Sequence, residues 1–290
     1  MDGLSATAVL ADGIHTPSPG LADCVRSALV THLPGGRYIL PAALHPVLLV
    51  IVRGGIAVCR GDGERWLPRL ALCGGTRGPR DARAEAGTRI VTLSLLPGGV
   101  GALFGVPAGV LMEEAVDLAE VLDDAGRGLL ARFVDGLAPA AATQGDLPRL
   151  WGLLEALRRG AGDRADLWVP PALLSLPGAA LAAQFGLGQR QFERRFRESY
   201  GQPLRSYRQQ LRCSRLLLAL GAAMRPADGL AEIAVAAGYA DQAHLCRDVR
   251  RFTGHSPAGL LAGVAGDDPA FWPYRIDPLM RARHFGPSGF

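Results

Sequence analysis

The period of the apolar positions changes along this chain. Between about 36 and 105 they come in short runs, "RYILPAAL", "PVLLVIV", "GIAVCRG", "RWLPRLALCGG" and "TRIVTLSLLPGG", separated by Gly and Pro. Turn signals at roughly eight- to twelve-residue intervals predict an antiparallel sandwich or barrel. From 113 to 137 the period becomes helical: Val116, Leu118, Val121, Leu122, Leu129, Leu130 and Phe133 share a face, with acids early and Arg late, as the helix dipole prefers. "APAAATQGD" at 138–146 reads as a linker, and "LPRLWGLLEALRRG" at 147–160 as a second helix. Beyond about 170 the pattern is helical throughout, punctuated by Gly186, Gly201, Gly221, Gly238 and Gly254. The expected organisation is a mainly-β unit over 1–112, a helical connector over 113–165, an all-α domain over 166–262 and a tail over 263–290.

The α domain contains a near-repeat. "GLGQRQFERRFRESYG" (186–201) aligns with "GYADQAHLCRDVRRFTG" (238–254) once one extra residue is allowed in the second turn. Phe192 then pairs with Leu245, Arg194 with Arg247, Phe196 with Val249 and Gly201 with Gly254. Each copy follows an Ala-rich segment, "PGAALAAQF" or "LAEIAVAA", that ends at Gly186 or Gly238, where a helix C-cap calls for positive φ. Helix, glycine turn, second helix is the helix-turn-helix arrangement. Between the copies, "QPLRSYRQQLRCSRLLLAL" (202–220) reads as one helix with Leu204, Tyr207, Leu211, Leu216 and Leu220 inward. Its length of roughly 28 Å approaches the ~34 Å of one DNA turn.

The faces of the repeat carry its chemistry. Phe192, Phe196 and Tyr200 repeat at i, i+4, i+8 and belong to a core, whereas Arg190, Glu193, Arg194 and Arg197 form an opposing stripe. In the second copy, Gln242, Ala243, His244 and Arg247 occupy the equivalent surface, with Leu245, Val249 and Phe252 on the core side. Arg bonds guanine O6 and N7 bidentately, Gln reads adenine N6 and N7, and Glu accepts from cytosine N4, so these side chains can read bases as well as bind phosphates.

Charge agrees with that reading in its distribution, not its total. The net charge is only +4, and every one of the 31 basic residues is Arg. Residues 178–260 hold 12 Arg against 6 acids, while 1–177 hold 16 against 18. A basic segment beside a slightly acidic one fits a phosphate-binding module attached to a sensing module.

The run "LAAQFGLGQRQFERRFRESYGQPLRSYRQQLRCSRLLLAL…LAEIAVAAGYADQAHLCRDVRRFTGHSPAGL" resembles the DNA-binding domain of AraC/XylS-type transcription regulators over about 170–260. The resemblance implies two helix-turn-helix motifs joined by a long helix, and double-stranded promoter DNA and RNA polymerase as partners. It places Arg190, Glu193 and Arg194 in the first motif, and Gln242, Ala243, His244 and Arg247 in the second, toward bases, and counts Gln189 among the DNA-binding residues. Arg195, Arg197, Arg250 and Arg251 would then contact phosphates. Gly188 departs from the Ser or Thr that usually caps the first recognition helix, and Ala243 could at most touch a thymine methyl. "IVTLSLLPGGVGALFGVPAGVLMEEAVDLAEVL" is more weakly similar to the cupin-like sensory domain of one branch of that family. That likeness implies a small-molecule or protein effector of unspecified identity, and the Leu/Val stripe of 113–137 is the candidate surface for a homodimer.

Other chemistry is poorly supported. His15, His32 and His45 are scattered and lack a cupin-type His/Glu metal set, so no metal or cofactor is expected. Cys24, Cys59, Cys73, Cys213 and Cys246 form no CxxC pair. Cys59 and Cys73 read as strand cysteines before redox sensors. The alternative function, an alkyltransferase-like DNA-repair enzyme with a similar appendage, needs an activated Cys in a Pro-Cys-His-Arg setting, which none of the five has. "GDGE" at 61–64 reads as a hairpin turn. No run approaches eighteen apolar residues and the N-terminus has no secretory pattern, so a cytoplasmic protein without membrane contact is expected. The aromatic tail, with Phe271, Trp272, Tyr274 and Phe285, either packs back on the protein or binds a partner. Activator and repressor are equally open.

Overall fold

The computed structural model describes residues 10–60, 63–136, 143–161, 166–223, 229–266, 268–276, 280 and 283–284. Among the described residues ten strands form two antiparallel sheets. They are β1 (Leu10–His15), β2 (Val25–Leu33), β3 (Gly36–Leu40), β4 (Val47–Arg53), β5 (Ile56–Arg60), β6 (Gly63–Trp66), β7 (Leu70–Cys73), β8 (Arg80–Ala84), β9 (Thr88–Leu95) and β10 (Ala115–Asp117). One sheet runs β1-β2-β9-β4-β7-β10 and the other β3-β8-β5-β6.

The six-stranded sheet is buried on both faces, which explains the unbroken apolar run of β4. Leu48, Val50 and Val52 join Val91, Leu93 and Leu95 of β9 against a helical layer, while Leu49, Ile51 and Ile90 face the second sheet with Tyr38 and Ile56. A period of two with both faces buried cannot alternate apolar with polar. The helical layer consists of α1 (Gly99–Phe104), α2 (Leu118–Val121), α3 (Asp124–Asp135) and α4 (Thr143–Gly160).

This layer corrects the expected helix over 113–137. Val116 pairs with Leu72 in β10, so the sheet extends past residue 112. Two helices follow where one was expected, because Asp117 and Asp123 each start a new one: their carboxylates accept from the Ala119 and Gly126 amides at 2.9 and 2.8 Å. Leu130 and Phe133 of α3 are buried beside α4 and the sheet, so that part of the stripe offered for a homodimer covers the chain's own core. The "APAAATQGD" linker and the "GDGE" turn lie partly outside the described residues, and α4 begins at Thr143, inside the linker segment. Strands β1, β2 and β8, absent from the runs read in the sequence, carry Arg, Ser, Thr or Asp among their apolar positions.

The remaining helices are α5 (Gly178–Gln184), α6 (Gln189–Tyr200), α7 (Leu204–Ala223), α8 (Leu230–Ala236), α9 (Gln242–Thr253), α10 (Pro257–Ala265) and α11 (Trp272–Arg275). The chain is thus a mainly-β N-terminal domain followed by a helical domain with two helix-turn-helix motifs. Helices α5 and α6 form the first around Leu181, Phe192, Phe196 and Tyr200, and α8 and α9 the second around Ala234, Leu245, Val249 and Phe252. Helix α7 joins them, with Leu204, Tyr207, Leu211 and Leu216 buried as its spacing predicts; the Leu220 side chain lies outside the described residues. Among the described residues no helix is long and apolar enough to cross a membrane.

Candidate nucleic-acid interface and effector cavity

The two motifs are built alike. Gly186 and Gly238 turn the chain out of α5 and α8 at φ 63° and 75°, and Gly201 and Gly254 end α6 and α9 at 69° and 78°. A Cβ would strain all four backbones, so only glycine ends these helices cheaply. Their starts differ. Asp241 accepts from the His244 amide at 2.6 Å, whereas Gly188 offers α6 no side-chain cap.

On α6, Phe192 and Phe196 are wholly buried, and Tyr200 stacks on Phe196 with ring centroids 4.1 Å apart. That inward stripe leaves Gln189, Arg190, Glu193, Arg194, Arg195 and Arg197 exposed. Gln189 donates to the Glu193 carboxylate at 2.9 Å, and Arg194 lies 4.0 Å from Glu198, both weak surface contacts that DNA can replace. On α9, Gln242, Ala243, Arg247, Arg250 and Arg251 are exposed. Arg251 donates to Gln209 of α7 at 3.4 Å and lies over the Phe252 ring. His244 is only half open: its ring stands edge to face with Tyr239 at 5.1 Å, and Nε2 is 3.9 Å from Asp248, which in turn accepts from Gln209 at 2.7 Å. Of the candidate base readers, His244 is the one most engaged with its own motif.

A groove between the recognition helices brings in arginines outside the set expected from the sequence. Arg205, Arg208, Arg212 and Arg215 of α7 line it with Glu193, Arg197 and His244. Their spacing of three, four and three residues puts them on one face, a signal overshadowed by the leucines of the same helix. Arg212 is fixed by the Gly238 carbonyl at 2.9 Å and the Tyr239 ring, and Arg208 by the Leu176 carbonyl, while Arg205 and Arg215 are exposed.

Both motifs are tied to the β-sandwich. The Ala42 amide donates to the Phe252 carbonyl at 2.7 Å, and Arg77 donates to the Gly201 carbonyl at 3.0 Å. Gln210 of α7 donates to the Thr76 carbonyl at 2.9 Å. Gly109 meets the Glu198 carbonyl so closely that a Cβ there would come within 2.6 Å. Leu44 completes the first motif's core.

Between the two sheets lies a cavity of about 690 Å³, within the range of small-molecule sites. Leu33, Tyr38, Leu49, Ile56, Val58 and Ile90 form its apolar floor, and the loop 41–45, Leu217 of α7 and Trp272 also line it. Its acids and bases are largely paired: Glu113 with Arg80, and Glu64 with Arg37 and Arg83. Burial and the charge of Arg26 push the His45 imidazole down to about 3, so it stays neutral. His15 and His32 are half-buried on β1 and β2. Among the described residues no three His, Cys, Asp or Glu side chains are grouped as metal ligands. Burial pushes the thiols of Cys24, Cys73 and Cys213 up, to about 11, 12 and 12, opposite to the shift an activated nucleophile needs. Cys59 and Cys246 are half-buried.

Residues 181–262 match the family model of a helix-turn-helix domain. No curated protein matches the chain. Among solved structures it is similar to ToxT from Vibrio cholerae, at 10% identity and a TM-score of 0.45, over 82% of this chain and 98% of that one. ToxT of the same organism bound to an unsaturated fatty acid gives 12% identity and 0.43, over 79% of this chain and 92% of that one. The AraC-like transcriptional activator CuxR gives 15% identity and 0.29, over 66% and 76%.

Proposed function

We propose, for a chain whose residues 181–262 are an AraC-type helix-turn-helix domain, that it is a sequence-specific transcription regulator whose helices α6 and α9 read adjacent major grooves. The observation that carries this is the duplication: two glycine-bounded helices, each with an aromatic or aliphatic stripe buried and an arginine-rich face exposed, stand at the two ends of one 20-residue helix. Twenty residues span about 30 Å, close to a turn of DNA. Arg190, Glu193, Arg194, Gln242 and Arg247 are the base readers, with Gln189, Ala243 and His244 beside them. Arg195, Arg197, Arg250 and Arg251 hold phosphates. Arg205 and Arg215 extend that set along the strand between the two grooves. RNA polymerase is the partner such a regulator would engage at its promoter.

The cavity between the sheets is the effector site in this reading, since it is closed partly by loop 41–45, which also touches both motifs. A molecule held there adjoins the residues that set the position of α6 and α9.

The test is selection of bound fragments from a genomic pool by the full-length protein, followed by a salt titration on the winner. Two half-motifs about one turn apart with a steep salt slope support the regulator. Weak, sequence-blind binding with and without cell extract as an effector source counts against it.

A further inference from the structure

The tail beyond the helix-turn-helix domain joins two hydrophobic cores. Trp272 and Ile276, four residues apart, are 8% and 6% exposed and belong to the inter-sheet core with Leu29, Leu33, Tyr38 and Leu49. The Trp272 ring stands edge to face with Tyr38, centroids 6.1 Å apart. Tyr274, between them in sequence, belongs instead to the second motif's core with Leu245, Val249 and Phe252. Phe271 lies on His255 at 4.6 Å and packs so tightly on Gly263 of α10 that a Cβ there would come within 2.2 Å of its ring. Farther on, His284 is completely buried, with Nδ1 2.8 Å from the Ser27 hydroxyl of β2. A segment that stood apart from its domain would not bury alternate side chains in two different cores.

The same segment forms part of the wall of the cavity. Trp272, Pro273, Tyr274 and Ile276 line it from the α-domain side, with both sheets opposite. A molecule in the cavity therefore touches groups from both domains. Such a ligand binds the docked arrangement better than one in which the tail has left, and by linkage it must strengthen docking by the same factor. The wall carries two arginines, Arg65 and Arg80, against three glutamates, Glu64, Glu113 and Glu114, and is otherwise mostly apolar. These charges are largely paired, Glu113 with Arg80 and Glu64 with Arg37 and Arg83, so a charged ligand would give up its hydration for surroundings that are otherwise mostly apolar.

We propose that Phe271–Ile276 and His284 form a latch that clamps the second helix-turn-helix motif to the β-sandwich, and that an uncharged, largely apolar molecule in the cavity tightens it. The ligand half of this rests on the cavity being the effector site; the latch itself does not depend on DNA binding. With the latch closed, α9 is held at one position relative to α6, and with it open, the second motif loses that clamp and keeps α7 and the Ala42 bond to Phe252.

The experiment is hydrogen exchange on the full-length chain without DNA, read segment by segment, using 2-tridecanone as the neutral probe and tridecanoate as its charged counterpart. Replacing Trp272 and Ile276 together by Ala is expected to speed exchange in β3, α9 and α10 at least tenfold while α6 stays near its original rate. If that protein no longer unfolds cooperatively, Trp272→Phe with Ile276→Val decides, with a smaller acceleration of about threefold in the same segments. Unchanged exchange in α9 and α10 overturns the latch. In the original protein, 2-tridecanone is expected to slow exchange in β3, at 271–276 and in α9, and tridecanoate to do so much less. Protection confined to the sheets overturns the latch coupling and leaves the effector site standing. Equal protection by tridecanoate overturns the uncharged class, and no saturable protection by either probe overturns the cavity as effector site.

Discussion

The backbone amide of Ala42 donates to the carbonyl of Phe252 at 2.7 Å, so a loop of the β-sandwich satisfies a carbonyl in the last turn of the second recognition helix. Such carbonyls have no partner within their own helix. The bond therefore fixes where α9 ends relative to the sandwich as well as completing it. Arg77 does the same for the first motif at Gly201. Ala42→Pro removes the donor, at a cost of about 1 kcal/mol. Binding to DNA carrying both half-motifs is expected to weaken about fivefold, with binding to a single half-motif unchanged. Equal losses on both fragments would mean that the bond supports the fold and not the spacing.

Base readers and phosphate contacts make different predictions. Arg194→Ala and Arg247→Ala each should cost roughly 1–3 kcal/mol of specific binding and relax preference at one base position. Arg205→Ala and Arg215→Ala should weaken binding to all sequences alike and reduce the salt slope by about one each. A selection experiment on the four variants separates the two groups. Unchanged base preference in both Arg194→Ala and Arg247→Ala would remove these side chains from the readers.

The repeat was legible because its physics is local. Glycine at a left-handed helix end, aromatic or aliphatic residues four apart and arginines on the opposite stripe can all be read within seventeen residues, and α6 and α9 carry them as written. What escaped was set at long range. The helix expected over 113–137 has helical spacing, but Val116 is taken by pairing with Leu72, forty-four positions away, and no local pattern announces that partner. The tail offered two readings because its aromatics report only that something apolar must cover them. The sandwich and the second motif share that task, with Tyr38 meeting Trp272 and Phe252 sharing a core with Tyr274.

The two recognition helices should respond oppositely to changes at their starts. Asp241 caps α9, so Asp241→Ala is expected to destabilise the protein by about 1 kcal/mol. Gly188 has extended backbone geometry, with φ −67° and ψ 150°, and a Cβ added to it would meet no atom within 4 Å. Ser therefore fits there without strain and can accept from an amide of the first turn of α6. Gly188→Ser should stabilise by a few tenths of a kcal/mol. Urea denaturation checks both, and a loss of stability in Gly188→Ser would show that the α6 start is constrained by something other than its missing cap.

Two buried histidines make acid the natural challenge to domain docking. Burial, helped by the nearby charge of Arg26, holds His45 and His284 down at about 3, well below the ordinary imidazole value. Both side chains are neutral in the folded protein, whereas in the unfolded chain they take up protons near pH 6.5. The unfolded state thus binds more protons below that pH, and stability falls as pH drops from about 6.5 toward 3. Each histidine contributes at most about 1.4 kcal/mol per pH unit, so the pair could remove up to about 4 kcal/mol between pH 6.5 and 5. His284 lies in the tail against Ser27, and His45 in the loop that meets Tyr207 of α7, so both losses fall at the junction of the domains. His284→Gln can still bond the Ser27 hydroxyl but cannot take up a proton in this range. Its urea midpoint should therefore fall less steeply than that of the original protein between pH 7 and 5, by about half of the histidine-dependent slope. An identical pH dependence in the two proteins would place the acid sensitivity elsewhere.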